Sequence, residues 1–200
     1  DKLNTLAIQA GFDITGIYVI DGSKRSTRSN AYFSGFGSRR RIVLYDTLIQ
    51  NQSSDQIAAV LAHEIGHYKR KHTIKGLIMS VLQTGLLLFL FSIIIGNPII
   101  YEALGSHRQS FHLGLIVFVI LYSPVSTLLS LFSNNISRRF EFEADAFAVQ
   151  HTGREALASS LRILASDNLS DLTPHPLYVW VNYSHPPLKK RLEMIQGTEK

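Results

Sequence analysis

His63-Glu64-Ile65-Gly66-His67 is an HExxH pattern, and its spacing implies a specific chemistry. Four residues are about one helical turn, so on a helix both imidazoles leave the same face and can grip one zinc ion. Glu64 lies one step round, where its carboxylate can serve as general base for a water molecule. The chain has no cysteine, which excludes thiolate zinc sites, disulfides and a cysteine nucleophile. Any metal must therefore be held by His, Asp or Glu. Two histidines do not complete a site, and surface histidines on an ordinary helix would give the same pattern.

A third ligand has to come from elsewhere. An HExxHxxGxxH arrangement would need Gly at 70 and His at 73, but those positions are Arg70 and Thr73. That class is rejected, and His72, one place out of register, reads as an exposed helix residue. The better source is Arg138-Arg139-Phe140-Glu141-Phe142-Glu143-Ala144-Asp145-Ala146. Glu141 and Asp145 are four apart and share a helix face. One can ligate zinc while the other holds the free ring nitrogen of a ligating His. Glu143 reads as a solvated acid. Spacing alone leaves open whether Glu141 is a ligand or part of an acidic surface.

These residues need elements that bring them together across 74 positions. The sequence has 20 Lys and Arg against 15 Asp and Glu and is 46% hydrophobic. No charged residue occurs between Lys75 and Glu102 or between Arg108 and Arg138, gaps of 26 and 29 residues. All 35 charges fall on the other 145 positions, about 24% of them, which is ordinary globular usage. A membrane-spanning helix needs roughly 20 mainly apolar residues, so two spans are expected at about 76–97 and 112–132. A buried helix pair inside a large soluble core is the alternative. Both stretches lie mid-chain, so neither is a signal peptide. A hairpin that leaves and re-enters from one side returns Glu141 to the face where His67 sits. Lys69, Arg70, Lys71 and Lys75 precede the first span and Arg138 and Arg139 follow the second, which puts the globular parts on the cytoplasmic side of the membrane. The basic cluster at 38–41 reads as a solvated turn or a headgroup contact, and nothing resembles a nucleic-acid module.

The remaining pattern is mainly helical with one small sheet, an α+β class. A helix is expected near Leu3, Leu6, Ala7 and Ala10, and strands at 17–20, 31–36 and 41–45, the last two forming a hairpin. Ser53-x-x-Gln56 is a capping box that opens the HExxH helix, which lacks a Gly or Pro pair to stop it before the first span. Helices follow at 137–150 and 155–165, then a loop over 168–176. Pro186-Pro187 opens a last short amphipathic helix through Leu188, Leu192 and Ile195. We expect a single domain over 1–200, an excerpt of a longer chain.

Six strings stand out: Gly22-Ser23-Lys24-Arg25-Ser26, Ser29-Asn30-Ala31-Tyr32-Phe33, Arg41-Ile42-Val43-Leu44-Tyr45-Asp46-Thr47, the HExxH, Glu141-x-x-x-Asp145 and Ser184-His185-Pro186-Pro187-Leu188-x-x-Arg191. Together they resemble the type I CAAX prenyl endopeptidases, integral-membrane zinc proteases related to the a-factor-converting enzyme, and more distantly the bacterial heat-shock membrane metalloproteases. The resemblance implies a zincin-like core with an inserted two-helix transmembrane hairpin and one zinc ion per chain. His63, His67 and Glu141 would ligate the zinc, and Glu64 would be the base. Asp145 and Arg191 would support the site, His185 would donate to the oxyanion, and Asn30, Ala31, Tyr32 and Phe33 would pair with an extended, possibly prenylated, peptide. The family has further spans that enclose a chamber, which 200 residues do not make alone. The resemblance fits the endoplasmic reticulum or a bacterial inner membrane. It also admits a quality-control protease of the heat-shock type. A non-catalytic membrane scaffold is a third reading, which the intact Glu64 argues against.

Overall fold

The computed structural model describes residues 16–24, 30–34 and 41–197. The expected helix near Leu3 to Ala10 and most of the basic cluster at 38–41 lie outside these residues. Three strands form the sheet: β1 (Gly16–Ile20), β2 (Ala31–Ser34) and β3 (Arg41–Tyr45). β3 is central, antiparallel to β2 and parallel to β1. The β2–β3 pairing is the expected hairpin, with Ala31 opposite Leu44 and Phe33 opposite Ile42. The parallel partnership of β1 has no counterpart in the local pattern, because it is set by topology. Ala31, Ile42 and Leu44 are buried, so one face of the sheet closes on the core.

Short helix α1 (Asp46–Asn51) leads into α2 (Ser54–Lys69). Ser53 and Gln56 make the reciprocal capping box expected from sequence: the Gln56 N–H donates to the Ser53 hydroxyl and the Ser53 N–H to the Gln56 side chain. From Ile57 to His63 and again at Ile65 and Gly66, α2 is buried. Its core partners include Leu48, Leu157, Leu161 and Ile195.

The expectation that this helix runs into the first span is corrected. It ends at Lys69, Lys71 adopts left-handed φ 58° and ψ 31°, and α3 (His72–Ile95) begins afresh. The break carries no Gly or Pro, which is why the sequence does not announce it. In contrast, α5 (Phe111–Thr152) is one 42-residue helix that takes in both the second apolar stretch and the segment 137–150 expected to be separate. Positions 133–136 are Ser-Asn-Asn-Ile, with no Gly or Pro, and the Asn residues that can end a helix do not end this one.

Both α3 and α5 are long and apolar enough to cross a membrane, and their most apolar windows are 0% and 6% buried. Leu77, Val81, Leu82 and Phe89 on one, and Ile116, Ile120 and Leu128 on the other, are exposed. A pair of helices inside a soluble core would have these side chains covered. At 1.5 Å per residue α5 is about 63 Å long, roughly twice a bilayer's hydrocarbon thickness, so half of it extends into the globular part. At the hairpin tip, α4 (Pro98–Ala103) buries Tyr101, whose hydroxyl donates to the Ile95 carbonyl. Helices α6 (Arg154–Asp167), α7 (Pro176–Asn182) and α8 (Leu188–Gln196) complete the described fold.

Candidate active site

The site forms where α2 crosses α5, the most extensive helix pairing among the described residues. Small side chains make the crossing close, with Gly66 on α2 facing Ala144 on α5. His63 and His67 leave α2 on one face and meet Glu141 from α5. The Nε2 atoms of the two histidines are 3.1 Å apart. His63 Nε2 is 3.5 Å from Glu141 Oε2, and His67 Nε2 is 3.4 Å from Glu141 Oε1. Tetrahedral ligands about 2.05 Å from an ion lie roughly 3.3 Å from one another. The three groups thus fit a small divalent cation, and their neutral-imidazole and carboxylate chemistry suits one. Among the described residues they are the His and acidic side chains grouped closely enough to hold a metal ion.

Asp145, one turn beyond Glu141, is almost wholly buried. Its Oδ1 is 2.9 Å from His63 Nδ1. Arg191 on α8 donates to it in a fork, Nε to Oδ2 at 2.8 Å and Nη2 to Oδ1 at 2.6 Å. Arg191 Nη1 also lies 3.6 Å from Glu141 Oε2. In the neutral ring, an N–H on His63 Nδ1 donating to Asp145 leaves Nε2 with its lone pair toward the centre of the site. Burial opposes charge on His63, but hydrogen bonds to Asp145 and Glu141 outweigh it and push its pKa up to about 9. For Arg191, burial likewise opposes charge and the Asp145 carboxylate reverses the balance, holding the guanidinium more firmly protonated. Glu64, Glu141 and Asp145 together face this one guanidinium, so the cluster favours an added cation.

Burial also pushes the Glu64 carboxyl above the usual carboxylate range, with the charges of His63 and His67 pulling the other way. A carboxylate made more basic in this way is a better proton acceptor. Glu64 lines the same cavity of about 1040 Å³ as His63, His67, Glu141 and His185. The His185 ring is 67% exposed, and its Nδ1 sits 3.0 Å from Glu141 Oε1. The segment carrying it follows α7, whose carbonyls are held by Asn134 and Arg138 of α5.

Asn30 and Ala31 also line the cavity, which brings the start of β2 to the site. Tyr32 is exposed, its ring edge-on to Tyr45 at 6.5 Å. Phe33 continues the strand opposite Ile42. Since β3 occupies one side of β2, the other is a free edge among the described strands. Farther along, the cavity reaches Gly76 and Met79 near the start of α3 and Ser133 midway along α5, where its apolar stretch ends.

Two expectations are corrected here. His72 is buried, not an exposed helix residue. Its ring stacks on Phe140 at 4.1 Å, and its Nδ1 is 3.1 Å from His67 Nδ1. Glu143 is not simply solvated: it is 42% exposed, with Oε2 3.2 Å from His72 Nε2. Both follow from the break at Lys71, which turns α3 back toward the site. Asp46, to which sequence reasoning gives no part, accepts from the backbone of Gly22 and Ser23 and from the Ser23 hydroxyl. Two of the strings that carry the resemblance are therefore bonded partners.

A crossed helix pair presenting HExxH and a distal Glu, beside a small sheet with a free edge, defines a metallopeptidase fold. Residues 1–199 match peptidase family M48, and the chain belongs to that family. Among its relatives, a CAAX prenyl protease 1 homolog of Arabidopsis thaliana is 40% identical over 201 residues, covering 100% of this chain and 47% of the relative. The Homo sapiens homolog is 35% identical, covering 98% and 50%. CAAX prenyl protease 1 of Saccharomyces cerevisiae is 38% identical, covering 97% and 46%. The crystal structure of S. mikatae Ste24p superposes with a TM-score of 0.86 at 37% identity, over 96% of this chain and 48% of that one. The chain thus spans about half the length of the curated relatives it matches.

Proposed function

We propose that this chain is the catalytic part of an integral-membrane zinc metalloendopeptidase of the CAAX prenyl protease type, with residues 1–200 forming one metallopeptidase domain. The observation that carries this reading is the set of mutual distances, 3.1 to 3.5 Å, among His63, His67 and Glu141. Those three residues would hold zinc, and when bound it would acidify a water molecule and polarise a scissile carbonyl. Glu64 would take the proton as that water attacks and return it to the leaving amine. His185, at the cavity mouth, would donate a hydrogen bond to the oxyanion oxygen, a contribution on the order of 3 kcal/mol for such donors. Asp145 would fix the His63 tautomer, and Arg191 would hold Asp145 and neutralise part of the carboxylate charge. The free edge of β2 at Asn30 to Phe33 would align an extended peptide by main-chain hydrogen bonds. The basic residues flanking the apolar helices support a site on the cytoplasmic face of a bilayer, which the exposed faces of α3 and α5 would enter.

The test uses the full-length parent protein in detergent. Zinc per chain and cleavage of a prenylated peptide are measured for wild type and Glu64→Gln. We expect one zinc in both and cleavage in the wild type alone; a Glu64→Gln protein that cleaves at the wild-type rate would remove the general base. Equal cleavage of the same peptide without its prenyl group would favour the quality-control reading over the CAAX type.

A further inference from the structure

We propose that His72 and Glu143 form a hydrogen-bond relay that fixes the tautomer of His67, making His72 a positioning residue for the metal centre; this rests on the reading of His67 as a ligand. Two imidazole nitrogens in contact must divide the roles of donor and acceptor. His67 Nδ1 and His72 Nδ1 are 3.1 Å apart. The other nitrogen of His72 faces Glu143 Oε2 at 3.2 Å. An ionised carboxylate only accepts, so the His72 proton sits on Nε2. Its Nδ1 is then the acceptor, and the proton between the rings belongs to His67 Nδ1. That leaves the lone pair of His67 on Nε2, the atom facing His63 and Glu141.

The result mirrors His63, whose Nδ1 meets Asp145 directly. One ligand is thus oriented by a carboxylate on α5 and the other by a carboxylate two residues earlier on the same helix, acting through an intervening imidazole. The fold holds that imidazole in place. His72 is 4% exposed and its ring is stacked on Phe140 with planes 9° apart. On an unbroken helix the residue five positions after His67 would point roughly 140° away from it. The left-handed Lys71 (φ 58°), a conformation disfavoured for any residue with a Cβ, is what turns His72 onto His67.

The experiment compares His72→Phe, His72→Asn, Glu143→Ala and His67→Ala in the full-length protein. Zinc affinity is read by competition with a chromophoric chelator, the visible spectrum of the cobalt-substituted protein reports ligand geometry, and the apoprotein's melting temperature reports the fold. Phe keeps the stack and the burial but offers no acceptor, whereas the Asn carbonyl can stand where Nδ1 was. We expect His72→Phe to bind zinc 10- to 100-fold more weakly with a shifted cobalt spectrum and an unchanged melting temperature. His72→Asn should recover most of the affinity, and Glu143→Ala should lose part of it. Wild-type affinity in His72→Phe would overturn the relay, as would equal losses in the Phe and Asn variants. If His67→Ala keeps wild-type zinc affinity, the ligand reading fails; if it loses zinc while His72→Phe does not, only the relay fails.

Discussion

A methyl group on Gly66 would lie 3.1 Å from the Cα of Ala144, so at this point α2 and α5 leave no room for a side chain unless one of them shifts. The same methyl would meet Phe147 Cβ at 3.1 Å and the Ala144 carbonyl oxygen at 3.2 Å. Both helices carry the site at this crossing: Gly66 precedes His67 and Ala144 precedes Asp145. Backbone atoms cannot swing aside as a flexible side chain would. We therefore expect Gly66→Val to force the helices apart, destabilising the fold by about 1–3 kcal/mol as overpacked cores do, and to reduce bound zinc below one per chain. Gly66→Ala should show a weaker form of both. Metal content and chemical denaturation of the purified variants check this; stoichiometric zinc with unchanged stability in Gly66→Val would show that the crossing has slack.

How far the site can be read from sequence depends on whether the chemistry is local. The HExxH, the Glu141/Asp145 pair and the capping box at Ser53 all follow from helical spacing, and the structure places each as that spacing predicts. The two charge gaps likewise mark α3 and α5, because an apolar run of this length has few soluble uses. Arg191 is different. It reaches Asp145 from 46 residues away, and only the family resemblance singles it out. His72 escapes sequence reasoning because the turn that redirects it uses Lys71, a residue with no preference for the left-handed region. The short helices α1, α4 and α7 have too few turns to show a period, and the parallel placement of β1 depends on the connection between strands, not on the residues of β1.

Asp145 joins His63 to Arg191, and replacing it separates charge from geometry. In Asp145→Asn the amide fits the same space but has lost the charge that balances a guanidinium only 13% exposed. It can also turn its NH2 toward His63 Nδ1, which would move the ring proton onto Nε2, the atom that faces Glu141 and that we propose holds the metal. We expect zinc affinity to fall 10- to 100-fold. The buried Arg191 keeps Glu141 at 3.6 Å but loses its forked, charged partner, which should cost up to about 3–5 kcal/mol of stability. Chelator competition and denaturant titration measure the two effects separately. A variant with normal affinity would mean that Arg191 and Glu141 orient His63 without Asp145.

Asp46 ties the end of β1 to the start of α1. The Ser23 hydroxyl hydrogen bond, with lesser help from the Ser23, Thr47 and Gly22 amides, holds its carboxyl below the ordinary Asp range. Its pKa is therefore lower folded than unfolded, and folding favours the ionised form. That contribution is fully present above the unfolded value near 3.9 and is lost as pH falls through the folded value. Asp46→Asn should accordingly melt below wild type at pH 7, with the difference shrinking as the pH is lowered through the acid range. Melting curves of both proteins at pH 7 and about pH 3 check the sign; a constant difference would mean that the hydrogen bonds matter and the charge does not.

Arg138 controls a different part of the site. Its Nη1 donates to the Tyr183 carbonyl at 2.6 Å and lies 3.3 Å and 3.5 Å from those of Val179 and Trp180, while Asn134 donates to Val181 at 2.7 Å. The Val179 carbonyl also accepts from the Tyr183 N–H, while the carbonyls after it lie beyond the helix's own donors, and a cation at that end is favoured by the dipole. The same contacts fix where the chain leaves α7, two residues before His185. Arg138→Ala should then keep its zinc, because Glu141 and Asp145 stay packed against α2, but lose turnover as His185 drifts. A displacement of about 1 Å can lower a rate by about 100-fold, so we expect turnover to slow by roughly 10- to 100-fold while zinc stays at one per chain. Arg138→Lys should fall between, since an ammonium can reach one of the three carbonyls but not span them. Turnover at the wild-type rate in Arg138→Ala would instead assign the placement of His185 to Pro186 and Pro187, which are themselves buried and would hold the loop from its other end.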